Sequence, residues 1–459
     1  MCGHDHNHGD AQPPQAAVPL DCDPNADEAF PWTSGRVYDA HCHPTDTMAS
    51  LAAIPGMGAA RLTVMATRAQ DQELVAALGA DDAGKAVPAF GWHPWFSYQL
   101  YDDRSSSGGG GGGGGSGDLA SMADKRRHLA DVLIPRPSSL AGDDPANDKD
   151  AQLLAALDAL AASLPTIRPL SAFIAETRQR LLAHPGALVG EIGIDKAFRV
   201  PEPAVAEEKK DSSSTSISIS ISTSTSTSTT TTTSGSTPGG RDGRRLSPFR
   251  VQPAHQTAVL AAQLQLAADL QRPVSVHGVQ AHGLLFSALA ATWKGHERKL
   301  LSHRERHQIA GIAGLDDETS DSDSDSDSDG DRKEDDKPTK AKPFPPAICL
   351  HSFSGPVDML QQYLNPAIPS AIYFSFSTAV NCSTANGCQR TADVVAACPN
   401  DRLLVESDLH VAGAAMDAAL EDMYRRVCAI KKWTLADGVE KIARNYEAFI
   451  QGTKMKKRL

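Results

Sequence analysis

The chain contains the stretch Ala187-Leu188-Val189-Gly190-Glu191-Ile192-Gly193-Ile194-Asp195, in which a short apolar run carries two carboxylates at its end. Apolar runs of this length, bounded by turn-forming residues, are typical of buried strands. We predict a strand over Ala187–Ile192. Seven further runs of the same kind occur along the chain, at Arg36–Asp39, Arg61–Ala66, Val87–Gly91, Pro273–Val276, Ala347–Leu350, Ala371–Ser375 and Arg402–Val405.

Stretches rich in Ala and Leu, with helical periodicity, separate these runs. Clear examples are Gln152–Leu164, Ile167–Ala183, His255–Leu270 and Met416–Lys431. Strands that are each followed by a helix predict an α/β protein with a parallel sheet, and we expect a (β/α)8 TIM barrel. A doubly wound open sheet is the main alternative, but eight strand–helix units favour the barrel.

Four segments rich in Gly, Ser, Thr, Pro or Asp interrupt this pattern, and they cannot bury enough apolar surface to offset the entropy cost of ordering. We expect disordered insertions at residues 104–118, 135–150, 201–248 and 316–346. The rest of residues 35–450 is predicted to form one domain. A disordered, His-containing tail (residues 1–34) is expected before it, and a basic tail (residues 451–459) after it.

The formal net charge is −12, but its distribution is uneven. Asp316 to Lys337 contains 12 acidic and 3 basic residues, which leaves about −3 for the remainder. The charge therefore neither excludes nor favours a polyanionic substrate. The eight cysteines form no CxxC pair, no apolar signal-peptide core is present, and no apolar run is long enough to predict a membrane span. We expect a cytoplasmic protein, a nuclear protein, or one present in both compartments.

Groups that bind metals recur at the predicted strand ends. His41 and His43 follow the first strand, and because residues two apart in an extended chain point to one side, both can face one ion. In a barrel the carboxyl ends of the strands converge on one face. A lone His-x-His pair or a single strand-end histidine is more often structural, so the hypothesis depends on the coincidence of six groups at five strand ends. Such mixed nitrogen and oxygen donors suit one or two divalent ions. The six candidate ligands are His41, His43, Glu191, His277, His351 and Asp408.

Six motifs in a fixed order resemble the TatD family of metal-dependent deoxyribonucleases, which belongs to the amidohydrolase-like barrels. The resemblance spans Val37 to Phe449 apart from the insertions. The variant Trp92-His93-Pro94-Trp95 and the long insertions are similar to the fungal branch, members of which have been described as partners of an anaphase-promoting-complex subunit. The motifs are His41-Cys42-His43, Gly91 to Trp95, Gly190 to Asp195, Pro273 to His277, His351 to Gly355 and Glu406 to Asp408.

The resemblance implies two divalent ions, Mg²⁺ or Mn²⁺ with Zn²⁺ as a further option. His41, His43 and Asp408 would hold one ion, His277 and His351 the other, and Glu191 would bridge them. The implied activity is cleavage of DNA phosphodiesters by an activated water. Asp408, acting together with Glu191 in catalysis, would orient that water and accept its proton.

The resemblance also assigns roles around these ligands. His93 would bind a phosphate oxygen, although it is equally suited to packing the loop that carries Trp92 and Trp95. Asp195 and Glu406 would contact the metal ligands without binding the ions themselves. Trp92 and Trp95 could stack on unpaired bases or simply pack against loops.

Two departures from the family pattern affect substrate preference. Lys196 to Arg199 replaces a tyrosine-bearing segment, and no proline follows Asp408 at the usual position. Two other functions are considered beside a nuclease that acts on DNA or oligonucleotides. A small-molecule amidohydrolase is disfavoured because Glu191 stands where such enzymes often have a carboxylated lysine. A barrel that serves as an interaction scaffold with a cell-cycle protein partner is the other, and the retained ligands argue against loss of catalysis.

Overall fold

The computed structural model describes residues 25, 27–80, 84–104, 117–137, 148–203, 245–299 and 342–451. The basic tail beyond residue 451, most of the N-terminal tail and the central parts of the four expected insertions lie outside the described residues. Among the helices that are described, none is both long and apolar enough to cross a membrane.

Eight parallel strands form one sheet, in which spatial order follows chain order. This order confirms the predicted barrel and rules out a doubly wound sheet, in which the strand order reverses partway across. The fourth and fifth strands are longer than predicted, because Gly193 pairs with His277 and Asp195 with Val279. The strands are β1 (Tyr38–Cys42), β2 (Arg61–Met65), β3 (Ala86–Phe90), β4 (Leu188–Asp195), β5 (Val274–Val279), β6 (Ala347–Leu350), β7 (Ala371–Phe376) and β8 (Leu403–Val405).

The seam between β8 and β1 is closed by the residues just past the end of β8. Ser407 donates to the Asp39 carboxylate from its backbone N (3.0 Å) and from its hydroxyl (2.5 Å). The backbone N of Asp408 donates to the His41 carbonyl at 3.0 Å. Hydrogen bonds from side chains and loop residues therefore connect β8 to β1, in place of the regular backbone hydrogen bonds that connect the other strands. The barrel is nearly closed.

Helices surround the barrel and bury its outer face, as expected for alternating strands and helices. The exception is the segment after β1, where two 3₁₀ helices, Pro44–Asp46 and Met48–Gly56, replace an α-helix. Pro55 lies inside the second of them and lacks the N–H that an α-helix continuing through this position would need. Among the described residues, the helices are α1 (Gln72–Gly79), α2 (Met122–Val132), α3 (Asp148–Ser163), α4 (Leu170–Ala183), α5 (Pro253–Asp269), α6 (His282–Trp293), α7 (Val357–Tyr363), α8 (Thr378–Asn381), α9 (Ala385–Ala397), α10 (Ala414–Lys431) and α11 (Leu435–Gln451).

An additional layer with its own apolar cluster is formed by the segments that follow β3 and β4 in the chain. Leu129 of α2 and Leu157 of α3 pack there with Phe249. The edges of the expected insertions are ordered in this layer: α3 begins at Asp148, inside the range 135–150, and Pro201 forms a bridge with Leu246, inside 201–248.

The described end of the N-terminal tail is also ordered. Phe30 and Trp32 pack against the main core, and the Phe30 ring lies 5.8 Å from that of Tyr424 on α10. The Arg425 guanidinium lies over the same Phe30 ring. These aromatic side chains gain apolar contact that the polar residues expected in the tail do not offer.

Candidate metal centre

The six candidate ligands converge at the carboxyl end of the barrel. Glu191, His277 and His351 are between 3% and 7% exposed, and His41 is fully buried. The side chains of His43 and Asp408 are 14% and 13% exposed, so they mark the open side of the site. A buried cluster of imidazoles and carboxylates is costly unless its members bind each other or a cation.

Glu191 lies at the centre of the cluster and divides it into two groups. Its Oε2 is 3.5 Å from Nε2 of both His41 and His43. Its Oε1 is 2.9 Å from Nδ1 of His277 and 2.7 Å from Nε2 of His351. One carboxylate therefore faces two pairs of imidazoles through different oxygens, as a bridging ligand does.

The first group contains His41, His43 and Asp408. The Nε2 atoms of the two histidines are 3.2 Å apart. Asp408 Oδ1 lies 3.9 Å from His41 Nε2 and 3.5 Å from His43 Nε2. Two ligands bound to one ion at about 2.0–2.2 Å lie roughly 3.0–3.5 Å apart at ordinary coordination angles. The spacings of His43 Nε2 to the other two ligand atoms, 3.2 and 3.5 Å, fall in this range, and the third spacing, 3.9 Å, is longer.

The second group contains His277 and His351. His277 Nδ1 and His351 Nε2 are 3.0 Å apart and share the Glu191 Oε1 atom. The three atoms form a compact triangle with a nitrogen–oxygen donor set, which suits a divalent ion.

Supporting contacts fix which imidazole nitrogens can bind a cation. His41 Nδ1 lies 2.9 Å from the Ser275 hydroxyl, and His277 Nε2 lies 3.2 Å from Asp195 Oδ2. When each of these nitrogens donates its N–H, the other ring nitrogen presents a lone pair to the centre. Second contacts of this kind are characteristic of metal-binding histidines. Asp195 thus lies where the sequence predicts a supporting carboxylate.

Glu406 is fully buried and lies behind His351, but it is bound more closely by Ser352. Its Oε1 accepts from the Ser352 backbone N (2.7 Å) and hydroxyl (2.6 Å), whereas His351 Nδ1 is 3.7 Å away. The Ser352 hydroxyl is also 3.3 Å from Asp408 Oδ2. Ser352 therefore connects the two acidic residues that follow β8.

His93 lies beside Glu191, within the cluster of candidate ligands. Its Nδ1 accepts from the Trp95 backbone N at 3.1 Å, which leaves the ring proton on Nε2. That nitrogen lies 3.1 Å from Glu191 Oε1 and donates to it. Burial, opposed only in part by Glu191, lowers the His93 pKa to about 4, so the ring is neutral at pH 7. A phosphate contact by His93 would compete with its bond to Glu191.

Electrostatics keep the central carboxylates ionised. Burial alone would raise the pKa of Glu191, but the neighbouring imidazoles, His93 foremost, hold it well below its ordinary range. Burial is likewise outweighed at Asp408, chiefly by its hydrogen bond to His43, and the pKa falls to about 2. Two buried, ionised carboxylates beside imidazole nitrogens are a donor set that suits a divalent cation.

The backbone at two positions permits this arrangement. A Cβ at Gly193 would lie well inside contact distance of the His277 carbonyl, so only glycine lets β4 approach β5 here. Asp408 has φ 55°, in the left-handed region that Asp tolerates better than most residues. This turn lets its backbone close the barrel seam while its carboxylate faces the centre.

Sequence patterns did not single out Ser275 and Ser352. Serine at a strand end has no distinctive spacing, so the useful signal would have been its alternation with His277 on the same strand. We expect Ser275→Ala to weaken divalent-metal affinity by about 10–100-fold, because His41 loses the contact that orients its ring. Titration of the purified protein with Mn²⁺ by calorimetry measures this effect.

Ser370→Ala is the matched control, because this buried serine donates to the Pro345 carbonyl at 2.8 Å at the start of β7, far from the centre along the strand. Equal Mn²⁺ affinities for both variants and the wild type would show that Ser275 does not position His41.

Comparisons with known proteins show which family the chain resembles. A sequence profile of the family described as TatD related DNase matches residues 239–451. The chain is 33% identical over 421 residues to the Cut9-interacting protein scn1 of Schizosaccharomyces pombe, covering 91% of this chain and 99% of that protein. It is 24% identical over 254 residues to the uncharacterized deoxyribonuclease YMR262W of Saccharomyces cerevisiae, covering 54% and 59%.

Among solved structures, the TatD homologue YJJV of Escherichia coli is 16% identical, with a TM-score of 0.43, and the match covers 91% of this chain and 98% of that one. At this TM-score the fold assignment depends on the strand order described above, not on the superposition. The family profile and the relative that matches over nearly its full length do identify the family. The chain belongs to the TatD-related family of hydrolases.

Proposed function

We propose that this hydrolase is a divalent-metal-dependent deoxyribonuclease that cleaves phosphodiester bonds in DNA or oligonucleotides. The observation that carries the proposal is the position of Glu191, whose two oxygens face two separate pairs of imidazoles. We assign His41, His43 and Asp408 to one ion, His277 and His351 to a second, and Glu191 to both. Mg²⁺ or Mn²⁺ fits the carboxylate ligands, and the histidine-rich set also admits Zn²⁺.

Divalent ions in such sites act as Lewis acids that polarise a phosphoryl oxygen and acidify water. The protein's part is to place and deprotonate the nucleophile. Asp408 is ionised and lies on the more open side of the site, and its Oδ2 is held by the Ser352 hydroxyl at 3.3 Å. In our proposal Asp408 orients the attacking water and accepts its proton.

Glu191 is held by a hydrogen bond from His93, which donates in its neutral form and therefore does not need to gain or lose a proton. The neutral His93 ring donates to Glu191 Oε1 and is itself fixed by the Trp95 backbone. We therefore propose that His93 orients the bridging carboxylate. A phosphate contact by His93 is the alternative role.

Aromatic rings at the rim favour a substrate with unpaired bases. Trp95 stacks on Phe198 with centroids 4.5 Å apart, and its indole N–H donates to Asp195 at 2.6 Å. Trp92 is only 1% exposed and donates to the Phe96 carbonyl, so it is not available to a base. Of these two tryptophans, Trp95 is the one we propose for contact with a single-stranded end, since aromatic faces stack on any base.

An assay with end-labelled single-stranded and duplex DNA tests the proposed activity. We expect cleavage with Mn²⁺ or Mg²⁺, none with chelator, and faster cutting of single strands. His277→Ala is expected to remove the activity, because it deletes a ligand of the buried centre. His296→Ala, an exposed histidine beyond α6, is the matched control and should cut at the wild-type rate. Hydrolysis of cyclic amides with no cleavage of either DNA would instead support a small-molecule amidohydrolase.

A second role is favoured by one comparison. The relative that is 33% identical over 91% of this chain is named for its interaction with Cut9. We propose that this chain also binds a protein of the cell-cycle machinery, in addition to catalysis. Co-purification of the tagged full chain with the Cut9 counterpart from its own organism tests this role. Equal recovery by wild type and Asp408→Asn would separate binding from catalysis, and failure to recover it with either would exclude the role.

A further inference from the structure

Two cysteines face each other at the start of α9. Cys382 follows the last residue of α8, and Cys388 lies in the first turns of α9. Their Sγ atoms are 2.7 Å apart, about 0.7 Å more than the length of a disulfide bond. Cys382 is buried and Cys388 is partly exposed. The catalytic proposal uses neither thiol.

The surroundings of the pair distinguish the two sulfurs. The Arg426 guanidinium of α10 donates to Cys388 Sγ at 3.5 Å and is itself paired with Asp422. A cation beside Cys388 stabilises the negative charge that its sulfur carries during nucleophilic attack. Burial, with the hydrogen bond to Cys388, raises the pKa of the Cys382 thiol to about 12. Cys388 is thus the sulfur suited to react first with a reagent from solvent.

The turn that carries Cys382 is connected to the candidate metal centre. The Asn381 side-chain amide donates to the carbonyls of Ser352 and Phe353, both at 3.2 Å. The Ser352 hydroxyl in turn contacts Glu406 and Asp408. A covalent bond that restricts the turn after α8 would therefore also restrict the Ser352 segment, which contacts these two carboxylates.

We propose that Cys382 and Cys388 are an oxidation site that forms a reversible disulfide with a peroxide and so fastens the turn that braces the metal centre. Cys388 attacks the peroxide O–O bond, giving a sulfenic acid and one water. Cys382 then attacks that sulfur, displacing a second water and forming the S–S bond. The two sulfurs lose two electrons in total, and the peroxide gains both.

The short sulfur separation predicts that the bond forms with little movement. The Asn381 contacts should then persist, and activity should stay within about twofold of the reduced protein. The cross-link closes a loop of seven residues, which restricts the unfolded chain more than the folded one. We expect the Tm of the full chain to rise by about 2–5 °C on oxidation and to return on reduction.

Treatment of the full chain with hydrogen peroxide, followed by peptide mapping by mass spectrometry and thermal denaturation, tests the proposal. The expected result is a Cys382–Cys388 cross-linked peptide, a raised Tm, and reversal of both by dithiothreitol. Cys388→Ser and Cys382→Ala should each abolish the cross-link and the Tm rise. Cys398→Ser, at a buried cysteine beyond the pair, should retain both. Detection of Cys388 as a sulfinic acid with Cys382 still reduced, or a cross-link without a rise in Tm, would overturn the proposal.

Discussion

Asp408→Asn is expected to lower metal-dependent DNA cleavage by about 10²–10⁴-fold while the protein remains folded. The amide keeps the shape of the side chain but removes the negative charge and the proton-accepting oxygen that face His43. The loss corresponds to about 3–5 kcal/mol of transition-state stabilisation. Initial rates on end-labelled single-stranded DNA, measured with Mn²⁺ in excess, provide the measurement.

Asp401→Asn is the matched control for this variant. Asp401 precedes β8, whereas Asp408 follows it, and its side chain is 72% exposed beside Arg402. The same chemical change at the opposite end of one strand should leave the rate unchanged. Cleavage by Asp408→Asn within about threefold of wild type, at equal metal content, would show that this carboxylate is not the base.

Glu191→Gln is expected to have the largest effect on metal content. The wild-type protein should hold about two equivalents of Mn²⁺ after loading, and the variant fewer than one. The reason is that Glu191 is the only proposed ligand shared by both groups, and a neutral amide cannot offset the charge of two cations held in one buried site. Metal analysis after gel filtration measures the content directly.

Thermal denaturation gives a second measurement on the same variant. Binding to the folded state alone stabilises it by about 2.7 kcal/mol at a metal concentration of 100 times Kd, so Mn²⁺ should raise the wild-type Tm by several degrees. Glu191→Gln should lose most of this rise. Glu73→Gln, whose carboxylate is 77% exposed in an ion pair with Arg180, should keep it. Two tightly bound equivalents in Glu191→Gln would contradict the bridging role.

The barrel could be predicted well from the sequence, because each strand is a short apolar run that can be recognised from its own residues. All eight predicted strands are present, and the helix predicted over His255–Leu270 is observed as Pro253–Asp269. The sequence was less informative about the second apolar cluster. Phe249 and Leu157 form a separate apolar cluster only because distant segments meet, which periodicity within one window cannot reveal.

The candidate site could likewise be predicted only in part: its ligands were identifiable from the sequence, but the role of His93 was not. His41, Glu191 and Asp408 were identifiable because an acid or imidazole at a strand end is unusual and the barrel brings such ends together. The choice between a phosphate contact and loop packing for His93 was not accessible from spacing. It depends on a backbone N–H of Trp95 that fixes the position of the ring proton.

The way the barrel is closed has a consequence for how the centre assembles. The pair His277 and His351 comes from neighbouring strands, so this half can form once β5 and β6 align. The half with His41, His43 and Asp408 cannot form at that stage, because it joins the first and last strands of the barrel. There Asp39 and Ser407 make contact although 368 positions separate them in the sequence. Long-range contacts of this kind are the slow ones in folding. A cation bound there would stabilise the contact between β1 and β8. The affinity for the cation and the closure of the barrel would therefore be thermodynamically coupled.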